Sequence, residues 1–127
     1  MHPRVLLIED NEILRFLIAD ALSLIDAHVT ECSTADDALL ALALGKNASI
    51  DLVLTDIRMP GDLNGFELAK IIWTRWPQIP VILTSGDTRV SRDQLPAHST
   101  FMVKPWTLDQ LYQVIGERLQ NVPSESS

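Results

Sequence analysis

Apolar residues along this 127-residue chain follow two alternating periods, and each change of period marks an element. Arg4 to Glu9 carries the unbroken run Val5-Leu6-Leu7-Ile8, and a run without polar alternation suits a parallel strand covered on both faces. Leu14, Leu17, Ile18, Ala21, Leu22 and Ile25 then recur at helical spacing, and Asp10 or Asn11 can cap that helix by accepting from its free backbone N–H groups. His28 to Cys32 predicts a second strand, and Ser33-Thr34 caps an Ala/Leu-rich helix from about Ala35 that Gly45 can end. Ile50 to Thr55 predicts the third strand. Beyond Asn64-Gly65 a helical stripe of Leu68, Ala69, Ile72 and Trp76 runs to Pro77, with Trp73 off the stripe. Pro80 opens a fourth strand through Val81-Ile82-Leu83, and about Thr100 to Lys104 predicts a fifth. A last helix follows Thr107, with Leu108, Leu111, Tyr112, Ile115 and Leu119 on one face.

Strands that alternate with helices predict parallel pairing through right-handed crossovers, an α/β sandwich of three layers. The stretch from Asp87 to Ser99 departs from this pattern. Its apolar residues are Val90, Leu95 and Ala97, with Pro96 near its end, so a full amphipathic helix is not expected there. With 46% hydrophobic and 21% charged residues, the chain suits one domain with a single core, over residues 1–121, followed by a polar tail over 122–127.

Polar chemistry gathers where the apolar runs stop. Glu9-Asp10 ends the first, Asp56 the third, Thr84-Ser85 the fourth, and Lys104-Pro105 the fifth. Taken singly, an acidic pair is often only a favourable helix N-terminus, and an Asp, Lys or Ser at such a place is a cap, a solvated charge or a turn residue. Their order and spacing at successive strand ends make the set specific. Over roughly Arg4 to Leu119 these motifs resemble the CheY-like receiver domain of two-component response regulators.

The resemblance implies a flavodoxin-like (βα)5 fold of sheet order 2-1-3-4-5, with helix 4 shortened or irregular here. Ligands of such sheets bind beyond the carboxyl ends of the strands where the order reverses, between strands 1 and 3, which carry Glu9, Asp10 and Asp56. Three carboxylates held together repel unless a cation neutralises them. Oxygen-only ligands point to Mg2+ rather than zinc. By the resemblance, Asp10, Asp56 and the backbone carbonyl of Arg58 bind the metal directly, and Glu9 acts through a metal-bound water. Asp56 is the phosphoacceptor, Lys104 the ammonium that shares the phosphoryl charge, Ser85 the switch hydroxyl and Phe101 the aromatic that turns in response. A strand aromatic is also ordinary core. Pro105 corresponds to a cis-proline, Trp106 stands where the family often has Phe, and the loop Gly61 to Gly65 is one residue longer than the common form.

Net charge and motif content narrow the partners. A charge of −7, with ten scattered basic residues, disfavours nucleic acid and acidic membrane surfaces. The lone Cys32 excludes an internal disulfide, and His2, His28 and His98 lack metal-ligand spacing. With no signal peptide and no apolar run of membrane length, a cytoplasmic location is expected. The reading is a stand-alone receiver rather than an enzyme. It would accept phosphoryl from a sensor histidine kinase or histidine phosphotransfer protein and signal to a downstream protein by conformational change or onward transfer. Oligomeric state is not encoded in any motif. The alternatives are a receiver-shaped adaptor that works without phosphorylation, and a haloacid dehalogenase-type phosphohydrolase. The latter is disfavoured by Arg58 where that family has an Asp two residues after the nucleophile.

Overall fold

Each apolar run becomes a strand of one parallel sheet. The computed structural model describes residues 2–45, 50–58, 63–86 and 99–120. Its elements are β1 (Arg4–Ile8), α1 (Glu12–Ser23), β2 (His28–Cys32), α2 (Ala35–Ala43), β3 (Leu52–Asp56), α3 (Gly65–Arg75), β4 (Val81–Ser85), β5 (Ser99–Val103) and α4 (Leu108–Gln120). The strand order is β2-β1-β3-β4-β5, all neighbours parallel, as the flavodoxin-like expectation requires.

Strand alternation sorts the core into two layers. Leu6, Ile8, Val53, Val81 and Leu83 pack with Ala38 and Leu42 of α2 and Leu68 and Ile72 of α3. Val5, Leu7, Leu52, Leu54, Ile82 and Met102 pack with Ile18 and Leu22 of α1 and Leu111 and Ile115 of α4. The Tyr112 hydroxyl ties α4 to α1 by donating to the Ala21 carbonyl at 2.9 Å.

The helices start where their caps allow. Asn11, rather than Asp10, caps α1 by accepting from Leu14 N–H, and Thr34 caps α2 by accepting from Asp37 N–H. Asn64 and Glu67 close a reciprocal capping box on α3, with each side chain accepting from the other residue's backbone N–H.

Three expectations need correction. The third strand runs from Leu52 to Asp56, not from Ile50 to Thr55. Asp51 stands before it because its carboxylate accepts from Arg4 N–H and its own N–H donates to the Arg4 carbonyl, which pins the start of β1 instead. Leu17 and Leu108, placed by periodicity on the packed faces of the first and last helices, are 57% and 49% exposed. The remaining stripe of α1 holds, with Leu14 and Ile25 packed beside Ile18, Ala21 and Leu22. The expected irregularity of the fourth helix, positions 61–62 of the loop expected to be longer, and the tail over 122–127 lie outside the described residues.

Candidate phosphoacceptor and metal site

All five strands point the same way, so their carboxyl ends share one edge of the sheet. Asp56, the last residue of β3, is 9% exposed there. Glu9 follows β1 and is buried, while Asp10 beside it is exposed. One carboxylate oxygen from each of Glu9, Asp10 and Asp56 lies within 4.8 Å of the others. Lys104, one residue past β5, donates from Nζ to Asp56 Oδ2 at 2.8 Å and stands 3.7 Å from Glu9 Oε1. The other Asp56 oxygen, Oδ1, accepts from Arg58 N–H at 3.3 Å.

The electrostatics follow from burial. Desolvation pushes the Glu9 carboxyl above the ordinary carboxylate range, and the nearby charge of Asp56 adds to this. The Asn11 N–H, donating to Glu9 Oε2 at 3.1 Å, and the Lys104 ammonium pull the other way without cancelling it. Burial alone would lower the Lys104 ammonium, but the hydrogen bond and charge of Asp56, joined by Glu9, outweigh it and hold the amine above its ordinary value. One ammonium therefore faces three acids, an electrostatic deficit that a divalent cation would relieve. Donors that are all oxygen fit a hard ion such as Mg2+.

The hydroxyl position sits on the same edge, and the aromatic position lies within β5, two residues short of it. Ser85 ends β4, is buried, and its carbonyl accepts from Lys104 N–H at 2.9 Å. Phe101 pairs with Leu83 in the ladder and packs half-buried against the α2/α3 core layer. The Lys104-Pro105 peptide is cis.

The sequence pattern described as the response regulator receiver domain matches residues 5–116. The chain belongs to this family. Among its relatives, the receiver is 32% identical over 118 residues to the response regulator protein FleR of Pseudomonas aeruginosa, covering 91% of this chain and 24% of FleR. It is 33% identical over 122 residues to the sensor histidine kinase RcsC of Salmonella typhi, covering 93% of this chain and 12% of RcsC. The chain thus spans a quarter or less of each of these relatives. A receiver protein from Sinorhizobium medicae superposes with a TM-score of 0.87 at 26% identity, covering 96% of this chain and 98% of that one. No helix among the described residues is long and apolar enough to cross a membrane.

Two residues of this receiver's site carry no signal that sequence reasoning picked up. A Cβ on Gly65, the first residue of α3, would lie 2.0 Å from the Asp56 carbonyl oxygen and 2.9 Å from Ile57 Cα. Gly65 N–H donates to the Ile57 carbonyl at 2.8 Å, so α3 rests directly on the backbone that follows Asp56. The available hint was a glycine in the first turn, where better helix formers are ordinary. The second is Arg15 of α1, whose Nη1 donates to the Glu9 carbonyl at 2.9 Å while its Nε pairs with Glu31 Oε1 at 3.3 Å.

Proposed function

We propose that this receiver accepts a phosphoryl group on Asp56 from a phosphohistidine of a sensor histidine kinase or histidine phosphotransfer protein. The observation that carries the reading is the Asp56 carboxylate, held at 2.8 Å by Lys104 with Glu9 and Asp10 alongside. An Asp56 oxygen attacks phosphorus as the P–N bond breaks and its electron pair returns to the ring nitrogen, and with the donor imidazole protonated on its other nitrogen this leaves an acyl phosphate on Asp56 and a neutral histidine on the donor. Catalysis of such a transfer is positioning plus neutralisation of the equatorial oxygens. Lys104 releases Asp56 and takes a phosphoryl oxygen. Asp10, Asp56 and the Arg58 carbonyl are the residues that would hold Mg2+ directly, with Glu9 acting through water. When bound, that ion supplies the second positive charge of the clamp.

The output follows from the same edge. The Ser85 hydroxyl donates to the new phosphoryl group, and Phe101 turns inward as the β4 end moves, which biases a surface read by a downstream protein. Slow hydrolysis of the acyl phosphate resets the domain. A stand-alone, cytoplasmic role belongs to this proposal, and the intact mass and fractionation of the native gene product test it. The adaptor alternative rests on the stretch from Asp87 to Ser99 and on the loop Gly61 to Gly65, of which 87–98 and 61–62 lie outside the described residues.

The deciding experiment incubates the protein with a small phosphoryl donor and Mg2+ and measures intact mass and peptide maps, with Asp56→Asn and a chelator as controls. The expected result is a metal-dependent, base-labile mass gain of one phosphoryl group on the Asp56 peptide, absent in the variant. No adduct, together with no tryptophan fluorescence response to beryllofluoride, rejects the reading.

A further inference from the structure

The Glu9-Asp10 pair is held by more than its own strand. β1 ends at Ile8, and Glu9 N–H makes one last rung to the Cys32 carbonyl of β2 at 3.0 Å. Past that rung the chain must turn so that Asn11 can cap α1. The peptide between Glu9 and Asp10 is a rigid plane, so whatever fixes the Glu9 carbonyl also fixes the direction in which Asp10 leaves it. The group on that carbonyl is the Arg15 guanidinium at 2.9 Å, and its other edge is anchored on Glu31 of β2 at 3.3 Å. A guanidinium is a planar fork, so anchoring one edge orients the other. The Arg15 side chain is 20% exposed and reaches the carbonyl of the buried Glu9, while Glu31 at its other edge is 46% exposed.

Resting on the metal-binding part of the function proposed above, we infer that Arg15 is a positioning residue that aims the Glu9-Asp10 carboxylates and so sets the preference of this receiver for Mg2+ over larger divalent cations. Arg15 touches no reacting atom. It acts through the Glu9 carbonyl, and the Asn11 N–H on Glu9 Oε2 holds the same residue from the side-chain end. The consequence for selectivity comes from the ions themselves. Mg2+ demands near-octahedral geometry at short ligand distances, whereas Ca2+ accepts more ligands, longer bonds and looser angles. Loosening the Glu9-Asp10 peptide therefore costs Mg2+ more than Ca2+. Groups that orient metal ligands from behind typically carry a 10- to 100-fold effect on affinity.

The test is titration of the full chain with Mg2+ alone and with Ca2+ alone, read by tryptophan fluorescence and by calorimetry, for the wild type, Arg15→Met, Arg15→Lys and Glu31→Gln. Arg15→Met is expected to weaken Mg2+ by roughly tenfold or more and Ca2+ by clearly less, narrowing the ratio between the ions. Arg15→Lys keeps the charge but not the fork, so it restores only part of the ratio. Glu31→Gln shifts the ratio in the same direction as Arg15→Met but less far. A ratio unchanged in Arg15→Met, whether both ions weaken equally or neither does, overturns the inference, because a general loss of fold weakens both ions alike. If Arg15→Met does not fold, the ratio in Glu31→Gln decides. A wild type that binds neither ion rejects the metal reading itself, an outcome seen without any variant.

Discussion

The Lys104 ammonium bridges the two buried acids of the site, 2.8 Å from Asp56 Oδ2 and 3.7 Å from Glu9 Oε1. It is the ammonium that offsets both carboxylates, and in the proposed transfer it would leave Asp56 for a phosphoryl oxygen. Lys104→Met removes the charge while keeping much of the side-chain volume. Phosphorylation by a small donor is expected to fall by about 10²-fold, the usual effect of losing one aimed electrostatic group. Mg2+ binding should be retained or tightened, since the competing ammonium is gone. Parallel rate and binding measurements separate these effects, and equal losses in both would show that Lys104 only holds the acids in place.

Gly65 sets how closely α3 approaches the Asp56-Ile57 backbone. In Gly65→Ala the added carbon would meet the Asp56 carbonyl oxygen at 2.0 Å and its carbon at 2.8 Å, both backbone atoms that cannot rotate away. Either α3 shifts outward or the Asp56-Ile57 peptide moves, at a cost of roughly 1–3 kcal/mol typical of overpacking. Thermal unfolding should register that loss, and phosphorylation should slow as well. Gly86→Ala, whose added carbon meets nothing within 4 Å, is the control expected to leave stability nearly unchanged.

Much of this organisation was legible because a parallel sheet writes its polarity into the chain. Short unbroken Val/Leu/Ile runs alternating with helical stripes suit doubly covered strands, and parallel strands bring their final residues to one edge, where Glu9, Asp56, Ser85 and Lys104 gather. The errors arose where a local pattern admits two placements. Leu17 fits helical spacing, yet α1 lays only one arc on the sheet, and Leu17 falls outside it with Ile13 and Phe16. Ile50 extends an apolar run, but Asp51 binds Arg4 and delays the strand. Arg15 and Gly65 were invisible for another reason. Their partners, Glu31 and the Asp56 carbonyl, are neighbours only after the crossovers have been made.

Cys32 closes β2 inside the α2/α3 layer at 8% exposure. Burial, reinforced by the charge of Asp37, raises its thiol to about 11. Near pH 8 only about one thiol in a thousand would then be ionised, and the thiolate is the reactive form. Ellman's reagent should label the native protein orders of magnitude more slowly than the unfolded chain, with the rate tracking global opening. Fast labelling of folded protein would contradict this packing.

Bound Mg2+ is expected to reverse the pH dependence that Glu9 gives to stability. Its native carboxyl holds a proton more tightly than the unfolded chain does, because burial penalises the charged form more than Asn11 and Lys104 favour it. In chelator, its contribution is therefore most favourable below the ordinary carboxylate pKa and is lost as pH rises through the raised native value. Mg2+ at the proposed site would favour the ionised carboxylate, so its affinity is expected to rise across that same window. Other carboxylates titrate nearby, and the comparison with Glu9→Gln isolates this one. In chelator, the melting temperature of the wild type relative to Glu9→Gln should fall as pH is raised from the acid side to neutrality. With saturating Mg2+ the same difference should rise. A difference that stays flat with pH in chelator would mean that Glu9 titrates alike in the folded and unfolded chain, and that Lys104 and Asn11 fully offset its burial.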